Sequence, residues 1–498
     1  MHDKMYDKMI KQLQDIDVEI SYLFGIYNLL RWDIFSGMPK NGAEFRGKVI
    51  GYVTQKKCEV ITSDKSKEVL EYFKDVQFDN ENHYGMYKEL KCLYDELSYS
   101  NDQQQFEWGR VLGESNAMRY QAFLKKDYSM YEPYVEKIFK IFNEMYDKEK
   151  YPSAMDYALS KQDYTLTTEK VDRYFEELKT GVIELLNRIK KSDVKTSSDC
   201  ADFPIKDKAK FQRVSNKIIS KIGYDLDSGA NIHMEQPFTA RIGPKDARAC
   251  ANYDFFRHAL FTVIHETGHA IYSYNSPELE EYGLWGGQMG LQESQSKFYE
   301  NMIGRTKECL SYFYPYLQEE YEELRGVEFQ KFYEACNNVK VSSNRVAADE
   351  LTFNLHIIIR YEVEKAILSG EVSAHDLRDL WNKKYEEYLG VTPVSDAEGI
   401  LQDPHWTMGF IGYFPNYSLG NLYSAQFRHK MLEDIPNAYE EIAKGNFDPV
   451  NNWLKENIHK YGKIYTAGEL IEKLTGEELN VQYYIDYLNE KYGEIYHV

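Results

Sequence analysis

Proline is scarce in this chain, at 13 of 498 residues, against roughly 5% in an average protein. Long uninterrupted helices follow, because an interior proline removes a helical donor and clashes with the preceding turn. Cysteine is scarce as well. Cys58, Cys92, Cys200, Cys250, Cys309 and Cys336 lie far apart and form no Cys-x-x-Cys pair, so they read as reduced thiols, not as a disulfide framework or a zinc ribbon. No stretch approaches the roughly 18 to 20 apolar residues that span a bilayer. The opening Met1-His2-Asp3-Lys4 is charged where a signal peptide would need an apolar core. Positive charge is in deficit: 60 Lys and Arg against 80 Asp and Glu leave a net −20 and a pI near 5.2. That balance argues against a nucleic-acid partner, which needs a basic face, but leaves room for a local positive pocket that takes a carboxylate. The expectation is a soluble cytoplasmic protein with neither nucleic acid nor membrane as partner.

What is present is ordinary for a globular chain: 43% hydrophobic and 28% charged residues, enough to exclude disorder. Helical periodicity runs through Val69–Phe106, Tyr131–Tyr146 and Thr168–Ile189, with apolar and aromatic residues at three- and four-residue spacing between Glu and Lys. The 43 tyrosines suit rings packed inside with hydroxyls near water. Three stretches break the pattern. Lys190–Phe203 reads as an exposed loop. Asp227–Tyr253, with Gly229, Pro237, Gly243 and Pro244 between short extended pieces, is the candidate for a small sheet. Gly390–Pro415 is dense in Gly and Pro, carries His-Trp and Gln-Asp pairs, and reads as a functional loop.

The segment Tyr253–Tyr272 is helical by pattern, with Asp254 as a candidate cap and Asn275-Ser276-Pro277 as its stop. Within it stands His265-Glu266-Thr267-Gly268-His269, the His-Glu-x-x-His arrangement. Four residues advance a helix by about 6 Å and return to nearly the same face, so both imidazoles can reach one ion. Glu266 sits about 100° around, beside the ion, where it can take a proton from an activated water. With 12 His in the chain, chance yields this pattern in under about 5% of such sequences. The competing reading, two histidines sharing an apolar helix, would leave buried imidazoles in need of partners. A catalytic zinc usually takes a third protein ligand. Gly290–Ile303 reads as a second helix ending at Gly304, and Glu293 and Glu300, seven residues apart on one face, both qualify by spacing.

These residues resemble the thermostable carboxypeptidase family of metallopeptidases, also called the carboxypeptidase Taq family. Its His-Glu-Ser-Gln motif, whose Glu is the third zinc ligand, is similar to Gln292-Glu293-Ser294-Gln295, and the resemblance therefore selects Glu293. Its Asp-x-Arg-x-Thr corresponds to Asp246 through Arg248 to Cys250, and its Ile-Arg-x-x-Ala-Asp to Asn344-Arg345 with Ala348-Asp349. Its Gly-x-x-Gln-Asp-x-His-Trp is intact from Gly399 through Gln402, Asp403 and His405 to Trp406. Gly412-Tyr413 to Tyr417, Leu30-Arg31-Trp32-Asp33 and Met38-Pro39 also resemble the family. The chain departs from it at Gln292 (His), Cys250 (Thr), Asn344 (Ile) and Gln236 (His before Pro237-Phe238). These departures are expected around the substrate cleft, with the zinc core untouched.

The resemblance implies a mainly α, gluzincin-type fold with an active-site cleft between helical lobes. It also implies a single metallocarboxypeptidase domain over residues 1–498, a homodimer, one zinc or cobalt ion on His265, His269 and Glu293, and peptide substrates with a free carboxyl end. Glu266 is then the general base. Tyr413, with Tyr417 second, is the candidate donor to the oxyanion, and His405 a donor to the substrate backbone. Arg345 and Arg248 are candidates to read the terminal carboxylate through a planar fork, with Gln402 and Asp403 beside the substrate. The alternative for each arginine is an ion pair with the acid of its own motif, Asp349 or Asp246. Two other functions share these residues: a zinc endo- or oligopeptidase, and a non-catalytic peptide-binding relative, which would have no use for Glu266.

Overall fold

The computed structural model describes residues 4–99, 102–275 and 287–498. It is mainly helical with one three-stranded sheet, and no helix among the described residues is long and apolar enough to cross a membrane. All six cysteines are free. The chain divides into two compact units, each built from three separate segments.

The first unit comprises Met1–Ser98, Ser198–Cys336 and Phe427–Glu478. Its N-terminal helix, Lys4–Ser36, buries Met9, Ile10, Leu13 and Ile16 along one face, against Val69, Phe73, Met86, Leu90 and Ile464. The far half of that helix lies on the sheet. Asn28 Nδ2 donates to the Arg241 carbonyl at 2.8 Å, and a Cβ on Gly25 would stand 2.7 Å from the Ile242 oxygen. The sheet falls where the Gly- and Pro-punctuated segment predicts it. β1 (Asn231–His233) runs parallel to β3 (Asp246–Ala251), and β2 (Phe238–Gly243) runs antiparallel to β3 on its other side. The Val69–Phe106 run is not one helix. It is interrupted after Phe73 and resumes at Glu81, where the Asn80 side chain accepts from the Asn82 amide at 2.7 Å, an Asx turn that competes with helix continuation.

The helix carrying the His-Glu-x-x-His motif spans Phe256–Tyr274 and ends on Asn275; Ser276 and Pro277 lie outside the described residues. Asp254 does not cap it. The N-cap is Phe255, without a side-chain cap, and the first amides are taken by backbone: Phe256 N donates to Phe203 O at 2.9 Å and Arg257 N to Ala201 O at 3.1 Å. The next helix, Met289–Lys297, continues as a wider π turn over Phe298–Gly304.

The second unit comprises Tyr99–Ser197, Asn337–Gln426 and Leu479–Val498. The two amphipathic patterns here form Glu132–Met145, with Val135, Ile138, Phe139 and Phe142 buried, and Thr168–Lys191, capped by Thr167. The lysines read as the start of a loop are that helix's last turn, where cations favour the carbonyl end. Helix Glu350–Ser369 buries His356, Arg360 and Glu364 completely. Glu364 Oε1 accepts from Trp406 Nε1 at 2.7 Å and Oε2 from the Gly412 amide at 3.0 Å, which packs the Gly390–Pro415 segment on this helix.

Candidate metal centre

One helical turn separates His265 from His269, and their ring centroids are 5.0 Å apart. Glu293, from the following helix, brings Oε2 to 3.7 Å from His265 Nε2 and 3.8 Å from His269 Nε2. These three donors lie within 4.8 Å of one another, close to the roughly 3.4 Å edge of a tetrahedron with 2.0–2.2 Å metal–ligand bonds. The neighbouring helices come this close because residue 268 is glycine. A Cβ there would meet Gln295 O and Ser296 Cα, both at 2.8 Å.

The outward nitrogens of both rings are also engaged. His265 Nδ1 pairs with Glu300 Oε2 at 3.0 Å, and His269 Nδ1 lies 3.1 Å from the side-chain amide of Gln292. Spacing alone left Glu293 and Glu300 equivalent; the π turn makes them different. It carries Glu300 to the far side of His265, where Lys297 Nζ at 2.9 Å and Arg305 Nη2 at 3.1 Å also contact it. Burial opposes its ionisation, but Lys297, the His265 bond and Arg305 outweigh that and hold the carboxyl well below its usual range. Burial lowers the proton affinity of His265, and the Glu300 bond overcomes this and raises it. His269, buried beside His265 and Arg241, is held well below its ordinary value and is the neutral imidazole that ligation requires. A three-donor set with His269 and Glu293 buried, His265 half-buried and both Nε2 atoms turned toward the Glu293 carboxylate fits a divalent metal that keeps a position for water or substrate. No other group of this kind occurs among the described residues.

Glu266 is 7% exposed. Thr239 Oγ1, on β2, lies 2.6 Å from its Oε2, which fixes one carboxylate oxygen and leaves Oε1 outside that bond. Burial pushes this carboxyl up to about 7, against the pull of His265 and Thr239. Cys250 sits buried on β3, its thiol pushed up to about 12 by burial and by Glu266. Arg248, two residues earlier, forks onto Asp246 with two 2.7 Å bonds and stacks 4.5 Å over Trp32. It takes the acid of its own motif. Gln292 is the departure that the expectation misplaced: it touches His269, one of the three candidate donors, directly.

The second unit gathers the other expected residues. Arg345 Nε and Nη2 both donate to Asp403 Oδ1, at 2.9 and 2.7 Å, and Arg360 Nε donates to Asp403 Oδ2 at 2.6 Å. Asp349 is not the partner of Arg345; it caps the helix that follows, accepting from Thr352 N. Gln402 accepts from the Arg345 amide at 2.9 Å and donates to the carbonyls of Ser343, Glu398 and Gly399, so it ties two backbone segments together. His405 Nε2 is 3.2 Å from the Tyr417 hydroxyl, and burial pushes its pKa down to about 3. Tyr413 stacks on Phe410 and lies edge-on to Tyr417. Arg360 and Glu364 escaped the sequence reading; Glu362 and Lys365 stand among them in the same stretch, so nothing local marks those two as the buried charges.

The sequence profile of the carboxypeptidase Taq (M32) metallopeptidases matches residues 12–492. The chain is 39% identical to carboxypeptidase 1 of Bacillus subtilis (strain 168), covering 98% of each protein. It is 31% identical to thermostable carboxypeptidase 1 of Thermus thermophilus, again over 98% of each. The crystal structure of the M32 carboxypeptidase from Deinococcus radiodurans superposes with a TM-score of 0.93 at 28% identity, covering 100% of both chains.

Proposed function

We propose that this chain, which belongs to the carboxypeptidase Taq (M32) metallopeptidase family, removes single residues from the carboxyl ends of peptides with one zinc on His265, His269 and Glu293. It is a metallocarboxypeptidase by family; the zinc, the residue roles and the single-residue trimming are the proposal. The observation that carries it is the three-donor set with Glu266 buried beside it. When bound, the metal supplies Lewis acidity, acidifying water and polarising the scissile carbonyl.

Glu266, with a pKa near 7, accepts the proton of the attacking water and returns it to the leaving amine; a base matched to neutral pH does both efficiently. Thr239 holds Oε2, so Oε1 is the atom that works. Tyr413, with Tyr417 second, donates to the developing oxyanion, and His405, neutral by burial, donates to the substrate backbone. Arg345 reads the terminal carboxylate. Its Nη1 lies outside the Asp403 pair, and the Arg345–Asp403–Arg360 group keeps a net positive charge in an acidic chain. Arg248, whose Nε and Nη2 bond Asp246 in a pair that carries no net charge, is second in line. Zinc is preferred over cobalt, and metal analysis of purified protein decides between them. A cytoplasmic homodimer completes the proposal, checked by light scattering.

The experiment is a double cycle of wild type and Arg345→Ala on the acid and amide forms of one peptide. Each change is expected to lower kcat/KM at least about tenfold, the low end for a bond between charged groups. The combination should be far from additive, because both delete one contact. Additive losses would move the carboxylate to another residue. Equal cleavage of the amide at internal bonds by wild type would mean an endopeptidase.

A further inference from the structure

A metal reaches His269 only through Nε2, and a neutral imidazole offers that lone pair only when its single proton is on Nδ1. The group facing Nδ1 is the buried amide of Gln292, 3.1 Å away. An amide accepts at one end and donates at the other, so its orientation decides which nitrogen of the ring is protonated. With the oxygen toward His269, the NH2 faces Arg241 Nη1 and the Gly287 amide, and donors oppose donors. Turned over, the NH2 donates to Nδ1 at 3.1 Å, and the oxygen accepts from Arg241 Nη1 and Gly287 N, each at 3.3 Å. Every contact is then satisfied, but the ring proton moves to Nε2, the atom 3.8 Å from Glu293 Oε2. The His265 side has no such choice. Glu300 is a carboxylate held ionised between Lys297 and Arg305, and it can only accept.

We infer that Gln292 is a two-position amide coupled to the metal. In the metal-free protein its oxygen holds Arg241 and Gly287; when the site is loaded, it turns over to take the Nδ1 proton of His269. This rests on the reading of His265, His269 and Glu293 as the ligands. It adds a positioning residue that sets how tightly the ion is held, and that links the ion to β2 through Arg241 and to the start of helix Met289–Lys297 through Gly287. A glutamate at this position would accept on both sides at once and fix the productive tautomer beforehand.

The first measurement is the nitrogen-15 spectrum of histidine-labelled metal-free protein at neutral pH, with His269 assigned by its loss in His269→Gln. Wild type is expected to carry the proton on Nε2, and Gln292→Glu to carry it on Nδ1. The second is the zinc dissociation constant by competition with a chromogenic chelator, where Gln292→Glu is expected to bind at least about tenfold more tightly, the lower range for an outer-shell partner of a ligand. A wild-type His269 already protonated on Nδ1 overturns the inference. So does a folded Gln292→Glu protein with unchanged or weaker zinc affinity. Full zinc retention in His269→Ala would instead overturn the ligand assignment beneath it.

Discussion

Replacing Gly268 by alanine adds one methyl group, and the structure says what it meets. The new Cβ would stand 2.8 Å from Gln295 O and 2.8 Å from Ser296 Cα, with Tyr299 Cβ at 3.1 Å. The first two are helix-bound atoms that no rotamer change can move. Ordinary contacts are about 3.5–4.0 Å, so the two helices must part by about 0.6 Å or more. Such overpacking costs about 1–3 kcal/mol, and the better helix propensity of alanine returns up to about 1 kcal/mol of that. Against a total stability of about 5–15 kcal/mol the chain stays folded. The metal site is less forgiving. Glu293 rides on the displaced helix, and ligand distances tolerate only about 0.2 Å. Zinc affinity is expected to fall at least about tenfold, 1.4 kcal/mol, while far-UV circular dichroism stays unchanged. Chelator competition measures the first and the spectrum the second. A folded Gly268→Ala protein with wild-type zinc affinity would refute the claim that close approach at this glycine builds the site.

Glu293→Gln is expected to lose more zinc than Glu300→Gln, because one supplies a donor atom and the other orients a ring; equal zinc content by plasma emission would contradict the distinction. Glu266→Gln should retain the metal and lose at least about 10²-fold in turnover, and a zinc-loaded variant with near-normal rate would mean that the base lies elsewhere. Glu364 titrates near 8 in the folded protein, raised by burial from 4.5, so the folded chain binds a proton that the unfolded chain has released. Stability therefore falls as pH rises from about 4.5 to about 8, by up to about 1.4 kcal/mol per unit, and then levels off. Denaturant midpoints of Glu364→Gln should lose that slope, and an identical slope would show that Glu364 is not its source.

The helices and the sheet were legible because their signals are local: three- and four-residue apolar spacing, and Gly and Pro around Phe238–Gly243. The misread places depend on distant backbone. Asp254 had the chemistry of a cap, but the carbonyls of Ala201 and Phe203, over fifty residues earlier, had already taken those amides. The π turn at Phe298–Gly304 has no sequence mark, and without it Glu293 and Glu300 stay equivalent by spacing. The partner of Arg345 was equally hidden. Asp349 is four residues away and belongs to the same motif, yet the pair forms with Asp403, 58 residues on.

The arginine cluster supports the proposal that a chain of net charge −20 binds a terminal carboxylate. A guanidinium with its own carboxylate is neutral as a pair and offers little to a second one, which is the condition of Arg248 with Asp246. Asp403 is instead shared by Arg345 and Arg360. Burial opposes its charge, but the two cations more than compensate and hold it ionised, far below the ordinary carboxylate range. The three groups together keep one positive charge. Removal from water makes that charge act more strongly than it would at the surface. His405 adds nothing to the count, because burial keeps it neutral. The resemblance pointed to Arg345, but the arithmetic needs Arg360, which is completely buried and whose Nη2 has no hydrogen-bond partner among the described residues. Without Arg360, Arg345 would be an ordinary neutral pair, and the case for it as the reader of a terminal carboxylate would be no stronger than the case for Arg248.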